Sequence, residues 1–328
     1  MNVSPFGDLG FLTEQSNAPF QPAHGLMMRV GVPHRGGRLA FHAFNNEYPV
    51  MVSASAFWDR ARGKFKVPRA SDLEECDFAL DSAGFTAIRG WQRHGAQAGM
   101  LGVYPWSLQQ YLELASELRP AWFAQPDLAC EPELAGSDEE RQRRIEATAM
   151  LLEASLQQLY AWQNILARSC NARTVANMLF PPVPVLQRWT PDDYLRSLDL
   201  MQAVWRRWQP WLAPPALIGI GSVCRRHLHD RRYGLLAVLG ALEGHLPPAS
   251  RLHLFGVKGD ALPHLRLRRW IASADSMAYD DGARRAAYRE RRSNTLDSRQ
   301  LAMSAWMSKA RSRMRPRPGD QERLDFQG

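Results

Sequence analysis

The residues of this chain best suited to chemistry are aspartates at the ends of apolar runs. In WIASADSMAYDD (270–281) a strand-length apolar run ends in small residues and delivers Asp275 to a chain reversal. A parallel strand hands a carboxylate to an active-site rim in this way, and Asp275 is the candidate nucleophile. A single aspartate after a strand serves as readily as a helix N-cap or a surface residue. Its company decides. LDSAGF (80–85), AQPDLAC (124–130), PVLQ (184–187), IGIGSVCRR (218–226) and LFGVKGD (254–260) end in the same manner, and one repeated architecture would gather them at one mouth.

Strand-like runs lie at 27–32, 49–54, the CDFALDSAGF stretch closing on Asp81, 121–127, 181–187, 216–223, 252–257 and 270–274. Helix signals separate most of them. Ser107 opens a helical pattern over 107–118, an acidic then amphipathic stretch covers 137–168, and Thr190 with Pro191 caps a helix reaching about Trp208. Further helices are expected near 231–243 and 261–269. Residues 39–44 read as a short extra strand, and 60–69 as an exposed basic loop interrupted by Gly and Pro. Ser53, Ser55, Phe57 and Trp58 line a pocket or cap the next element.

Eight strands with helices between most of them predict an α/β fold, a (β/α)8 TIM-type barrel whose functional groups cluster at the carboxyl ends of the strands. A doubly wound sheet would carry a Gly-rich phosphate fingerprint after its first strand, which GVPHRGG does not match. The expected division is an irregular N-terminal extension (1–25), the barrel (26–292) and a basic, helical, partly disordered C-terminal arm (293–328).

A chain of 328 residues that is 45% hydrophobic buries a full core, as one large domain or two modest ones, which excludes a disordered protein. No run is long and apolar enough to span a bilayer, and MNVSPFGDLGFLTEQ lacks a basic region followed by an apolar segment, so the expected location is the cytoplasm. Cys76, Cys130, Cys170 and Cys224 have no paired zinc spacing and read as reduced, mostly buried thiols. Cys224 lies near His227 and His229, but CRRHLHDRR reads as a charged helix start rather than a metal site. The net charge is +8, and from Arg284 onward twelve Lys and Arg face five Asp and Glu. A basic end on a nearly neutral body suggests a polyanionic partner.

Taken in order, LDSAGF, QPDLACEP, PVLQ, GIGSVCRR, LFGVKG and SADSMA resemble the 7-deazaguanine DNA transglycosylase family, distant relatives of tRNA-guanine transglycosylase, over residues 52–284. The resemblance implies that Asp81 is a general acid/base, although the family more often has glycine where Ala83 stands. It implies that Asp127 grips the guanine edge and that Gln187 reaches the 7-substituent, with Arg188 in place of the usual glycine. Ser82, Gly219, Gly221 and Ser222 complete the base-binding set, and Asp275 matches the nucleophile. The tRNA enzymes carry a zinc cluster of three cysteines and a histidine after the last strand. Here no cysteine follows Cys224, so neither metal nor cofactor is expected, and a basic arm with Arg289, Arg291, Arg292, Arg311, Arg313, Arg315 and Arg317 stands there instead.

Exchanging a base without cutting the strand requires a carboxylate that holds C1′ as an ester, and a second carboxyl that protonates the departing base and deprotonates the arriving one. An ionised Asp127 suits the N1–H and 2-amino donors of guanine. The target nucleotide must leave the duplex, and phosphate contacts from Arg225, Arg226, Lys258, Arg284 and Arg289 are expected to offset that cost. The expected partners are DNA and a 7-deazaguanine base such as the 7-cyano compound, with a protein that opens the duplex left open. Base exchange on tRNA, and a catalytically silent nucleic-acid-binding barrel, remain the alternatives.

Overall fold

The structure, a computed structural model, describes residues 25–33, 38–67, 73–209, 211–224, 226–318 and 320. Except for Gly25, the expected irregular extension (1–25) lies outside the described residues, as does Arg225. In chain order the first elements are β1 (Met27–Val32), α1 (Arg38–Asn45), β2 (Val50–Ser53), β3 (Trp58–Asp59), β4 (Lys64–Phe65), β5 (Phe78–Asp81), α2 (Gly84–His94), α3 (Leu108–Leu118) and β6 (Trp122–Phe123). There follow α4 (Asp138–Leu166), α5 (Ala172–Met178), β7 (Val185–Leu186), α6 (Pro191–Trp208), β8 (Leu217–Ile220), α7 (Leu235–Leu242), β9 (Arg251–Leu254) and α8 (Leu262–Leu265). The chain closes on β10 (Ile271–Ser276), α9 (Ala278–Arg289) and α10 (Leu296–Met314).

Eight strands form one sheet in the order β6-β5-β2-β1-β10-β9-β8-β7, and every pairing in it is parallel. The two end strands are linked by a parallel bridge, Ala124 to Val183, with Val183 N–H donating to Phe123 O (2.8 Å) and Gln125 N–H to Val183 O (2.9 Å). Alternation along the strands sorts the side chains into two sets. Val50, Val52, Phe78, Leu80, Ile218, Ile220, Leu252 and Leu254 pack toward the helices in the large core, whereas Met51, Ala79, Trp122, Val185, Leu217 and Ala272 form a separate cluster on the other face. The second face also carries Arg29, whose buried guanidinium pairs with Asp77 (3.0 Å), donates to Asp77 O (3.1 Å) and lies 5.7 Å from the Trp122 ring.

The helix starts follow their sequence signals. Ser107 with Gln110 and Thr190 with Asp193 form capping boxes, Pro191 occupies the first turn of α6, and Ser137 accepts from Glu140 N–H. Four expectations are corrected. Residues 39–44 lie in helix α1, because Leu39, Ala40 and Ala43 make a helical stripe that packs into the core. CRRHLHDRR does not open a helix. Its described residues turn, with Asp230 accepting from Arg232 and Tyr233 N–H, and α7 starts only at Leu235. Among the cysteines only Cys130 is buried. Part of the basic loop is a hairpin, β3 against β4.

The C-terminal segment is no detached arm through Met314. Met303, Met307 and Ala310 on α10 are buried in the main core, and Arg299 donates to Asp280 (2.6 Å). Arg311 donates to Asn46 O and Glu47 O and lies over the Tyr48 ring, so it braces the end of α1. No helix among the described residues is long and apolar enough to cross a membrane.

Candidate active site

The carboxyl ends of the strands surround a cavity of about 300 Å³ whose walls include Asp81, Asp127, Asp275, Gln187, Gly221 and Ser222. Asp81 is the last residue of β5 and sits in register with Ser53 at the end of β2. Asp275 lies within β10 rather than in the reversal after it. A shift of register between Ile271 and Ser273 explains how it reaches the cavity. The bulge turns Ala272 and Ser273 toward the same face and re-aims the residues beyond them, as bulges beside active sites do.

Asp127 is gripped from several sides. Ser82 Oγ donates to its Oδ1 (2.5 Å), Gln187 Nε2 donates to its Oδ2, and the Tyr104 hydroxyl donates to its carbonyl (2.6 Å) while receiving its N–H (3.0 Å). Burial raises its pKa, and the bonds from Ser82 and Gln187 work against that rise by favouring the ionised form. With both oxygens accepting, the network suits a carboxylate. Gln187 in turn accepts at Oε1 from Ser222 Oγ (2.6 Å), which also lies 3.0 Å from Glu131 Oε2 and receives Cys130 N–H (2.9 Å). Arg188 does not obstruct this face. Its guanidinium turns to Gln142 on α4 (2.5 Å) and Asp193 on α6 (3.7 Å).

Asp275 Oδ1 accepts from Gly256 N–H (2.8 Å), and His253 Nε2 stands 3.3 Å from the same oxygen without making a hydrogen bond to it. His253 is fully buried, packed edge-on against Trp122 and Phe255, and its Nδ1 lies 2.8 Å from Ser273 Oγ. Burial holds its pKa below the usual histidine range. The ring therefore sits neutral, with Nδ1 sharing a hydrogen bond with Ser273 whose direction follows the tautomer. Oδ2 of Asp275 has no hydrogen bond among the described residues.

Asp81 behaves differently. Burial first, then the charges of Asp127 and Asp275, push its pKa up to about 7, against the bonds from Ala83 N–H and Ser53. Three carboxyl groups around one cavity cannot all ionise freely, and Asp81 is poised between its two forms near neutrality.

Two glycines let backbone and side chains meet here. A Cβ on Gly221 would overlap the Gln187 amide, and one on Gly84 would lie 2.5 Å from Asp127 O and 2.8 Å from its Oδ1. Gly84→Ala should therefore displace Asp127 and destabilise the fold by about 1–3 kcal/mol, which thermal melting measures. Ala83 has φ +69°, the left-handed region that glycine adopts freely and other residues enter at a cost.

Not every expected residue reaches the cavity. Ser82 is fully buried behind Asp127 and supports it. Gly219 lies deeper, where a Cβ would meet Phe255 at 2.6 Å. The expectation that Arg226 contacts phosphate is corrected: its buried guanidinium donates to the carbonyls of Trp189, Tyr233, Arg188 and Ser222 and stacks on Trp189 (4.1 Å). Lys258 and Arg289 are exposed, and Arg284 pairs with Asp280. The sequence reading missed Glu131, Phe85, Phe255 and Met277, which line the cavity, and His253. Glu131 stands in the same motif as Asp127, and His253 alternates with Leu252 and Leu254. That period-two pattern marks a polar side chain facing inward.

The fold and the cavity define an α/β protein with an eight-stranded parallel sheet and a carboxylate-rich site at the strand ends. More narrowly, the chain belongs to the DpdA family: the sequence pattern of DpdA, DeoxyPurine in DNA protein A, matches residues 48–314. No curated protein matches the chain. The matched stretch runs to the last residue of α10, so this helix belongs to the family unit.

Proposed function

We propose that this protein exchanges guanine in DNA for a 7-deazaguanine such as the 7-cyano compound, on a closed eightfold β/α barrel. The observation that carries the reading is the meeting of Asp81, Asp127 and Asp275, remote in sequence, around one cavity. Asp127, with Gln187 and Ser222 behind it, accepts from N1–H and the 2-amino group of guanine, donors that adenine lacks on that edge. Asp275 Oδ2 attacks C1′. The C1′–N bond breaks, its electron pair leaves with the purine, and Asp81 supplies the proton. The incoming base gives its ring N–H proton to Asp81, its nitrogen bonds to C1′, and the ester bond to Asp275 breaks. Two displacements retain configuration, and the strand is never cut.

His253 positions the nucleophile. The Gly256 amide donates to Oδ1 and the His253 ring lies against the same oxygen, leaving Oδ2 to attack, and a small reorientation of the ring would let Nε2–H stabilise the carboxylate as it departs in the second step. His253→Phe keeps the ring contacts with Trp122 and Phe255 and removes the ring nitrogen beside Asp275. The expected result is a kcat lowered about 10²-fold with the KM for base nearly unchanged, while His253→Gln, which can still donate, retains most of the rate. Incorporation of labelled 7-deazaguanine into DNA tests the function itself, with tRNA as competitor. Label appearing only in tRNA, or in neither, removes the proposal.

A further inference from the structure

The β3–β4 hairpin has no part in the exchange chemistry, yet it is built onto the site. It follows β2, whose last residue, Ser53, lines the cavity. Its tip exposes Arg60, Arg62 and Lys64 within five residues. The turn is held in shape: Asp59 Oδ1 accepts from Ala61 N–H (3.1 Å) and Arg62 N–H (3.3 Å), and Gln110 at the start of α3 donates to Gly63 O (3.1 Å). Asp59 comes no closer than 3.9 Å to the Arg62 guanidinium, which stays 64% exposed. Arg60 and Lys64 have no ion-pair partner among the described residues.

The base of the hairpin is aromatic. Trp58 and Phe65 pack on each other (5.0 Å between ring centres) and both on Trp106 (5.3 and 5.1 Å). Trp106 packs on Tyr104 (5.6 Å), whose hydroxyl bonds the Asp127 backbone in both directions. A rigid path thus runs from the charged tip to the carboxylate that faces the base. Cations that only aid solubility need no such mount. A ligand gripped by a preformed tip loses less ordering entropy than one that must organise flexible side chains.

We propose that this hairpin is a phosphate-gripping finger that holds the DNA backbone beside the extruded nucleotide. The inference rests on the base-exchange reading and adds contacts that reading does not name. Three phosphate contacts make binding steeply salt-dependent, at about 0.9 in the slope of log K against log salt per contact on duplex DNA and about 0.7 on single strands. The test compares full-length wild type, the triple variant Arg60→Ala/Arg62→Ala/Lys64→Ala, and a control of equal charge, Arg173→Ala/Arg206→Ala/Arg269→Ala. The control removes exposed arginines on α5, on α6 and shortly before β10. DNA affinity is measured across a salt series, and affinity for free 7-deazaguanine reports whether the cavity stays intact.

The expected result is a slope shallower by about 2 to 3 for the hairpin variant, with its affinity for free base and the control's slope both unchanged. A hairpin variant with the wild-type slope, equal losses in both variants, or a wild type that does not bind DNA overturns the inference. Wild type that binds DNA through the hairpin without incorporating base would instead remove the exchange reading and leave the finger standing.

Discussion

Asp275→Asn is expected to abolish base exchange, lowering turnover by at least about 10⁴-fold while leaving the fold and the free-base affinity intact. Asparagine is nearly isosteric, and its carbonyl oxygen can still accept from Gly256 N–H where Asp275 Oδ1 does (2.8 Å). The change removes only the anionic oxygen that would form the ester. A neutral amide is a poor nucleophile and a poorer leaving group, so both displacements fail. Incorporation of labelled base into DNA, measured beside thermal melting, separates this outcome from misfolding. Incorporation at the wild-type rate would take Asp275 out of the mechanism.

Asp81→Asn should act on rate and on stability in opposite directions. Without an acid for the departing purine the rate should fall about 10²- to 10⁴-fold. In the unaltered protein the same group makes the protonation-dependent step weaken as pH rises through about 7, the value to which burial and the neighbouring Asp127 and Asp275 push it. Its folded pKa lies above its unfolded one, so the folded state binds this proton more tightly. The stability associated with it is complete below about pH 4 and lost as pH rises toward about 7. Above that range Asn relieves the charging penalty, and the variant should be more stable than wild type by on the order of 2 kcal/mol, a figure reduced by the partial exposure of Asp81 at the cavity wall. Denaturant titrations at pH 5 and pH 8 measure the difference. A variant equally stable at both values relative to wild type contradicts the assignment of Asp81 as the acid with the raised pKa.

The strand ends were legible because a buried parallel strand announces itself by a short apolar run, and the residue that follows is placed by topology alone. Asp81 and Asp127 are legible in this way, Gln187 and Ser222 only through the resemblance of their motifs, and the structure brings all four to one cavity. Asp275 was located too, but its place inside β10 depends on a bulge, a local offset in pairing that composition does not reveal. Arg226 is not legible in the sequence for a related reason. An arginine after a strand looks free until the loops around it are known, and here Trp189, Arg188 and Tyr233 turn their carbonyls onto it. Residues 39–44 are a short apolar run that fits a strand and a helix equally well, and packing of Leu39, Ala40 and Ala43 selects the helix. The C-terminal segment was read as a basic arm from its charge, although Met303, Met307 and Ala310 at spacings of four and three already trace a buried helical stripe.

The most direct test of the central claim is capture of the covalent intermediate. The full-length protein is incubated with guanine-containing DNA without added 7-deazaguanine, denatured and digested, and the modified peptide is identified by mass spectrometry. The expected result is a denaturation-resistant adduct in which a nucleotide is esterified to Asp275, lost in Asp275→Asn and dispersed by added base. An adduct on another residue, or base exchange that proceeds with no protein-bound nucleotide at any time, would contradict it.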